Sequence, residues 1–179
     1  MVPEIEQKLL EYDLFIDRHR ILVLNYKIAT MYFGAGDYGT CIDYLQRIIN
    51  DPLDLRNDLQ CYARVLHLMA HYELKNFELM ESLTKSVYRF MARRERLTRV
   101  EEEMFRFLRT SFQTSRAELR AEFEKFLEKI RDFERNRYEA RAFAYLDLVS
   151  WVESKVYQRP MGEIIAEKYK SSKRRMVAA

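Results

Sequence analysis

KIATMYFGAGDYGTCIDYLQRIINDP, residues Lys27 to Pro52, decides the fold. Ile28 and Tyr32 continue an apolar stripe that starts at Leu22 and Leu24, once per helical turn, which predicts a helix from about Arg18 to Phe33. Gly34-Ala35-Gly36 stops it, because glycine accepts the left-handed backbone found just past a helix end. Asp37 then stands where an N-cap carboxylate can take up the free amides of the next turn. Cys41, Ile42, Leu45, Ile48 and Ile49 form the stripe of a second helix, which ends before Asn50-Asp51-Pro52. Two rods joined by so short a turn must run antiparallel.

The same rhythm extends in both directions. Upstream, Ile5, Leu9, Leu10 and Leu14 mark a short N-terminal helix. Downstream, Asp54 or Asn57 can cap a helix carrying Leu59, Tyr62, Leu66, Met69 and Leu74, and Lys75-Asn76 separates it from a return helix with Phe77, Leu83, Val87 and Phe90. Thr98 and Glu101 have capping-box spacing ahead of Met104, Phe105, Leu108 and Phe112. Thr114 or Ser115 opens a helix with Leu119, Phe123, Phe126, Ile130 and Phe133. A last long helix, from about Asn136 to Gln158, carries Tyr145, Trp151 and Val156 and stops before Pro160. Residues 1–160 thus read as one helical-repeat domain, and 161–179 as a weakly structured basic tail with a single apolar pair, Ile164-Ile165.

Composition agrees. Of 179 residues, 48% are hydrophobic, enough for a continuous core, while 4 Gly and 3 Pro are too few for a turn-rich β fold. Lys plus Arg number 31 against 28 Asp plus Glu, so the net charge of +3 lacks the excess of a dedicated nucleic-acid binder. Cys41 and Cys61 sit within helical pattern without metal spacing and read as buried thiols in a reducing, cytoplasmic setting. The N-terminus has no secretory pattern, and no stretch approaches the roughly 18 apolar residues of a membrane span. The chain opens in helical pattern, as one module of a longer solenoid would.

The quoted stretch resembles a tetratricopeptide repeat. Ile28-Ala29 stand at the pair usually filled by Leu-Gly, Tyr32 at the aromatic position, Gly36-Asp37-Tyr38 at the turn, Cys41 at the small alanine, and Pro52 near the closing proline. YFGAGDY (32–38) and HYELKNF (71–77) recur about 39 residues apart, against 34 for the standard repeat, so the units are padded. Residues 98–133 keep only the helix-turn-helix rhythm, and the stretch around ARVLHLMAHYELKNFELMES is similar to parts of bacterial tetratricopeptide proteins of unassigned role. The resemblance implies an all-α fold of antiparallel helix pairs stacked as an α-solenoid of about seven helices. It also implies a scaffold or adaptor that binds a peptide or partner protein in a concave groove.

Helical phase and the resemblance together nominate Tyr26, Lys27, Thr30 and Phe33 from one helix, with Arg64, His67 and His71 from the next, as partner-binding residues. The competing reading is that they pack between helices. His67 and His71 also have zinc-chelating spacing, but no HExxH glutamate accompanies them and a third ligand would have to come from another helix, so no metal is expected. Arg89, Arg93, Arg94, Arg96, Arg99, Arg106 and Arg109 form the alternative site, an anion or nucleic-acid surface, which Glu101, Glu102 and Glu103 would dilute. Nothing in the sequence offers a catalytic set or a cofactor motif, so the expectation is a non-enzymatic protein without cofactor. An uncovered solenoid end would allow self-association.

Overall fold

The computed structural model describes residues 2–12, 15–52, 56–94, 97–111 and 113–177, without the side chains of residues 9, 10, 116 and 173–177. Among the described residues all regular structure is helical: α1 (Val2–Glu11), α2 (Arg18–Ala35), α3 (Tyr38–Ile49), α4 (Asn57–Glu73), α5 (Phe77–Arg94), α6 (Arg99–Ser111), α7 (Arg116–Glu134), α8 (Ala140–Tyr145), α9 (Leu148–Val156) and α10 (Met161–Val177). None of them is long and apolar enough to cross a membrane.

Local chemistry sets the boundaries. The Asp17 carboxylate accepts from His19 N at 3.3 Å to start α2, and that of Asp37 accepts from Thr40 N at 3.1 Å to start α3. At α6 the capping box is complete: Thr98 N donates to Glu101 Oε2 at 2.7 Å and Glu101 N donates to Thr98 Oγ1 at 3.4 Å. Ser115 caps α7. At α4 the cap position is Arg56, whose side chain makes no capping bond; Asn57 is already helical, and its side-chain Oδ1 accepts from Arg94 Nε at 2.9 Å instead. Asp54, like Leu14 and Phe112, lies outside the described residues.

The turns ending α2 and α4 have one geometry. Gly36 and Lys75 both take positive φ, 85° and 60°, and in each turn the next amide reaches back five residues, Asp37 N to Tyr32 O at 3.0 Å and Asn76 N to His71 O at 3.1 Å. YFGAGDY and HYELKNF thus end their helices with the same hydrogen bonds. A third such turn ends α9, with Gln158 at φ 53° and Arg159 N on Ser154 O at 3.1 Å.

Helices α2 to α7 pack each against the next, and α2 also meets α4. Beyond this point the structure departs from expectation in four respects. The long helix expected over 136–158 is broken: Leu146 is extended and Asp147 caps a new start through Ser150 N at 3.0 Å, dividing α8 from α9. Pro160 is not the stop; α9 ends at the Gln158 turn, and the Pro160 carbonyl accepts the first bonds of α10. The segment expected as a weakly structured tail is helical through Val177, held by buried Ile164, by Lys168 on Glu153 at 2.8 Å, and by Arg159 on Glu167 at 2.6 Å. With these additions the chain has ten helices among its described residues, where about seven were expected.

The core is centred on α9, in which every residue but Lys155 is buried. Trp151 packs edge-on against Tyr72 of α4, Phe107 of α6 and Phe123 of α7, at ring separations of 6.0, 6.3 and 5.9 Å.

Candidate functional site

The first helices of the pairs, along which a groove was expected, are contacted by later residues of the chain itself. Residues 139–156 pack mainly on α7 and α10 and make side-chain links to α2, α4 and α6. Tyr26 Oη donates to Tyr145 O at 2.8 Å, the Tyr62 and Tyr145 rings stack at 4.4 Å, Trp151 Nε1 donates to Glu73 at 2.6 Å, and Val100 N donates to the buried Glu139 at 3.0 Å. Glu101, 1% exposed, accepts from Tyr62 Oη at 2.5 Å with Arg141 close by. These polar pairs tie the stretch from Glu139 to Trp151 to α2, α4 and α6.

The nominated partner-binding residues are consequently not one surface. Tyr26 and Phe33 are buried in the core, which is the competing reading of those positions, and burial drives the Tyr26 phenol well above its usual pKa. Lys27 is exposed and Thr30 Oγ1 donates to its carbonyl. Arg64, His67 and His71 lie on the far side of α4 from Leu66 and Met69, about half a turn away. Arg64 donates to Gln60 O at 3.1 Å and Ile49 O at 3.2 Å. The two imidazoles meet edge to face at 4.5 Å, and His71 Nδ1 bonds Asn76 Nδ2 at 2.9 Å. Burial, with His71 and Arg64 adjacent, holds the His67 pKa down to about 4, so this face of α4 is neutral at its histidines near pH 7. Among the described residues no group of three His, Cys, Asp or Glu side chains converges as a metal site.

A different opening exists. Thr30, Met31, Phe33, Gly34 and Ala35 of α2, Leu66 and Met69 of α4, the Tyr145–Asp147 break, and Met161, Gly162 and Ile165 of α10 enclose an apolar cleft of about 500 Å³. That is the size and chemistry of a ligand or side-chain socket. Its mouth carries two exposed apolar side chains, Met31 and Ile165. Two glycines set its depth, since α10 crosses α2 so closely that a Cβ on Gly162 would stand 3.3 Å from Gly34 O. Sequence reasoning missed the cleft because one of its walls was assigned to the tail; the signal available was Gly162 beside Ile164-Ile165.

The arginine set is divided too. Arg89, Arg93 and Arg94, with Ser86 and Phe90, line a concavity of about 270 Å³ on α5. Arg106 pairs with Glu103 on α6, Arg99 and Arg109 are exposed on α6, and Arg96 lies outside the described residues. Of the three glutamates expected to dilute the basic field, Glu101 is buried against Tyr62, whereas Glu103 does so directly, bound by Arg106 and by Lys129 at 3.1 Å.

Cys41 and Cys61 are buried and form no disulfide, and burial, with Asp37 nearby, pushes the Cys41 thiol up to about 12. It is a packing residue. Compared with known protein families, curated proteins and solved structures, the chain matches none.

Proposed function

We propose that this chain is a helical-repeat protein-interaction module of tetratricopeptide type, in which the pairs α2–α3, α4–α5 and α6–α7 stack as a short solenoid. Residues 139–156 occupy the inner trough of that solenoid, so the partner docks elsewhere. It inserts an apolar side chain from a peptide or protein segment into the cleft between α2, α4 and α10. The observation that carries this reading is the cleft itself: an open, largely apolar cavity with Met31 and Ile165 exposed at its mouth. The reading assigns the chain no catalysis and no cofactor, and places it in the cytoplasm, where buried thiols such as Cys41 persist.

The test is site-specific photocrosslinking in cells from a benzophenone side chain at Ala35, on the cleft wall, with the adduct identified by mass spectrometry. A discrete adduct is expected, lost in Ile165→Lys and retained in Lys27→Glu. An adduct indifferent to Ile165→Lys, or no adduct from Ala35, would overturn the cleft as the docking site.

A further inference from the structure

The arginine concavity on α5 shares no residue with the cleft, and its construction points to a definite chemistry. Two guanidinium groups lie over one ring: Arg64 is 3.8 Å and Arg94 3.9 Å from the Phe90 centroid. Two cations at that range cannot share one face, so each covers its own. Both are further held, Arg64 by Gln60 O of its own helix and Ile49 O of α3, and Arg94 by the side-chain Oδ1 of Asn57 on α4 at 2.9 Å. Fixed in this way, they hold the Phe90 ring in place as one wall of the concavity. Arg89 and Arg93 stand one turn apart on the exposed side of α5, and among the described residues no carboxylate pairs with either. Arg89 only donates its Nε to Lys85 O at 3.3 Å. The nearest acid along that face, Glu81, is engaged by Lys85.

We infer that this concavity is a second recognition site, for an acidic protein segment whose carboxylates seat against Arg89 and Arg93 beside the Phe90 ring. Arginine forks match carboxylates in paired hydrogen bonds, and a cavity of about 270 Å³ accommodates one or two such groups. Nucleic acid fits less well. Both faces of Phe90 are occupied, which leaves no platform on which a base could stack. The arginines span little more than one helical turn, roughly 7 Å, too short a track for several successive phosphates. The inference goes beyond the cleft reading and stands or falls separately from it.

Fluorescence anisotropy with fluorescein-labelled octaglutamate tests it, with octaglutamine and an octauridylate as parallel probes. Octaglutamate is expected to bind in a salt-sensitive manner and octaglutamine not to bind. The double variant Arg89→Glu, Arg93→Glu, both on an exposed helix face, is expected to weaken octaglutamate by about tenfold or more. Arg106→Glu with Arg109→Glu is the control and should leave affinity unchanged. Three results would overturn the inference: no octaglutamate binding at low salt, equal binding by the Arg89/Arg93 variant, or tighter binding of octauridylate with the same variant dependence.

Discussion

At the scale of single residues, the helix ends carry most of the information. The turn after α2 uses glycine at its left-handed position, whereas the equivalent turn after α4 uses Lys75 at φ 60°. A residue with a Cβ is disfavoured there by about 1 kcal/mol relative to glycine. Lys75→Gly is therefore expected to raise unfolding stability by about 1 kcal/mol, read as an upward shift of the urea midpoint at unchanged slope; an unchanged or lower midpoint would show that Lys75 is not strained. Gly36, Asp37 and the Thr98/Glu101 box were legible in sequence because each acts on amides within a few residues of itself. Lys75 was placed in a turn, but its backbone state was not legible, since lysine has no preference that announces it. Asp147 was hidden for a related reason: an aspartate inside a periodic apolar run reads as a solvated helix position until the extended Leu146 before it is seen.

At the scale of elements, α2 to α7 followed from apolar residues recurring at helical spacing, and their pairing followed from short turns. α10 did not. Its apolar side is narrow, only Ile164 is buried among its described side chains, and much of what holds it is polar or steric, through Lys168 on Glu153 and the close crossing of Gly162 over Gly34. The crossing supplies a direct check. Gly162→Leu places a side chain where a Cβ alone is already tight against backbone, and α10 must lift from α2. Amide hydrogen exchange in 161–172 is expected to speed up by about tenfold or more while α4 and α9 keep their protection. Unchanged exchange in α10 would mean that the crossing does not hold it.

At the scale of the whole molecule, the deciding contacts join residues far apart in sequence, Tyr26 with Tyr145 and Glu73 with Trp151. No local pattern encodes them. The sequence placed Tyr145 and Trp151 on one long helix, but the helix faces they cover are visible only in three dimensions, and for that reason the nominated residues do not form one surface. Trp151→Ala removes the ring shared by α4, α6, α7 and α9 and is expected to cost about 3–5 kcal/mol, measured by chemical denaturation. A loss under about 1 kcal/mol would make α9 an accessory rather than the centre of the core. The position of α9 has a temporal consequence as well. During synthesis the ribosome releases α2 to α7 first, with Tyr26, Tyr62, Tyr72 and Phe107 lacking the segment that will cover them, and at roughly 5–20 residues per second that interval lasts seconds. The nascent chain is thus open to chaperones along that face, until its own later residues arrive and shut it.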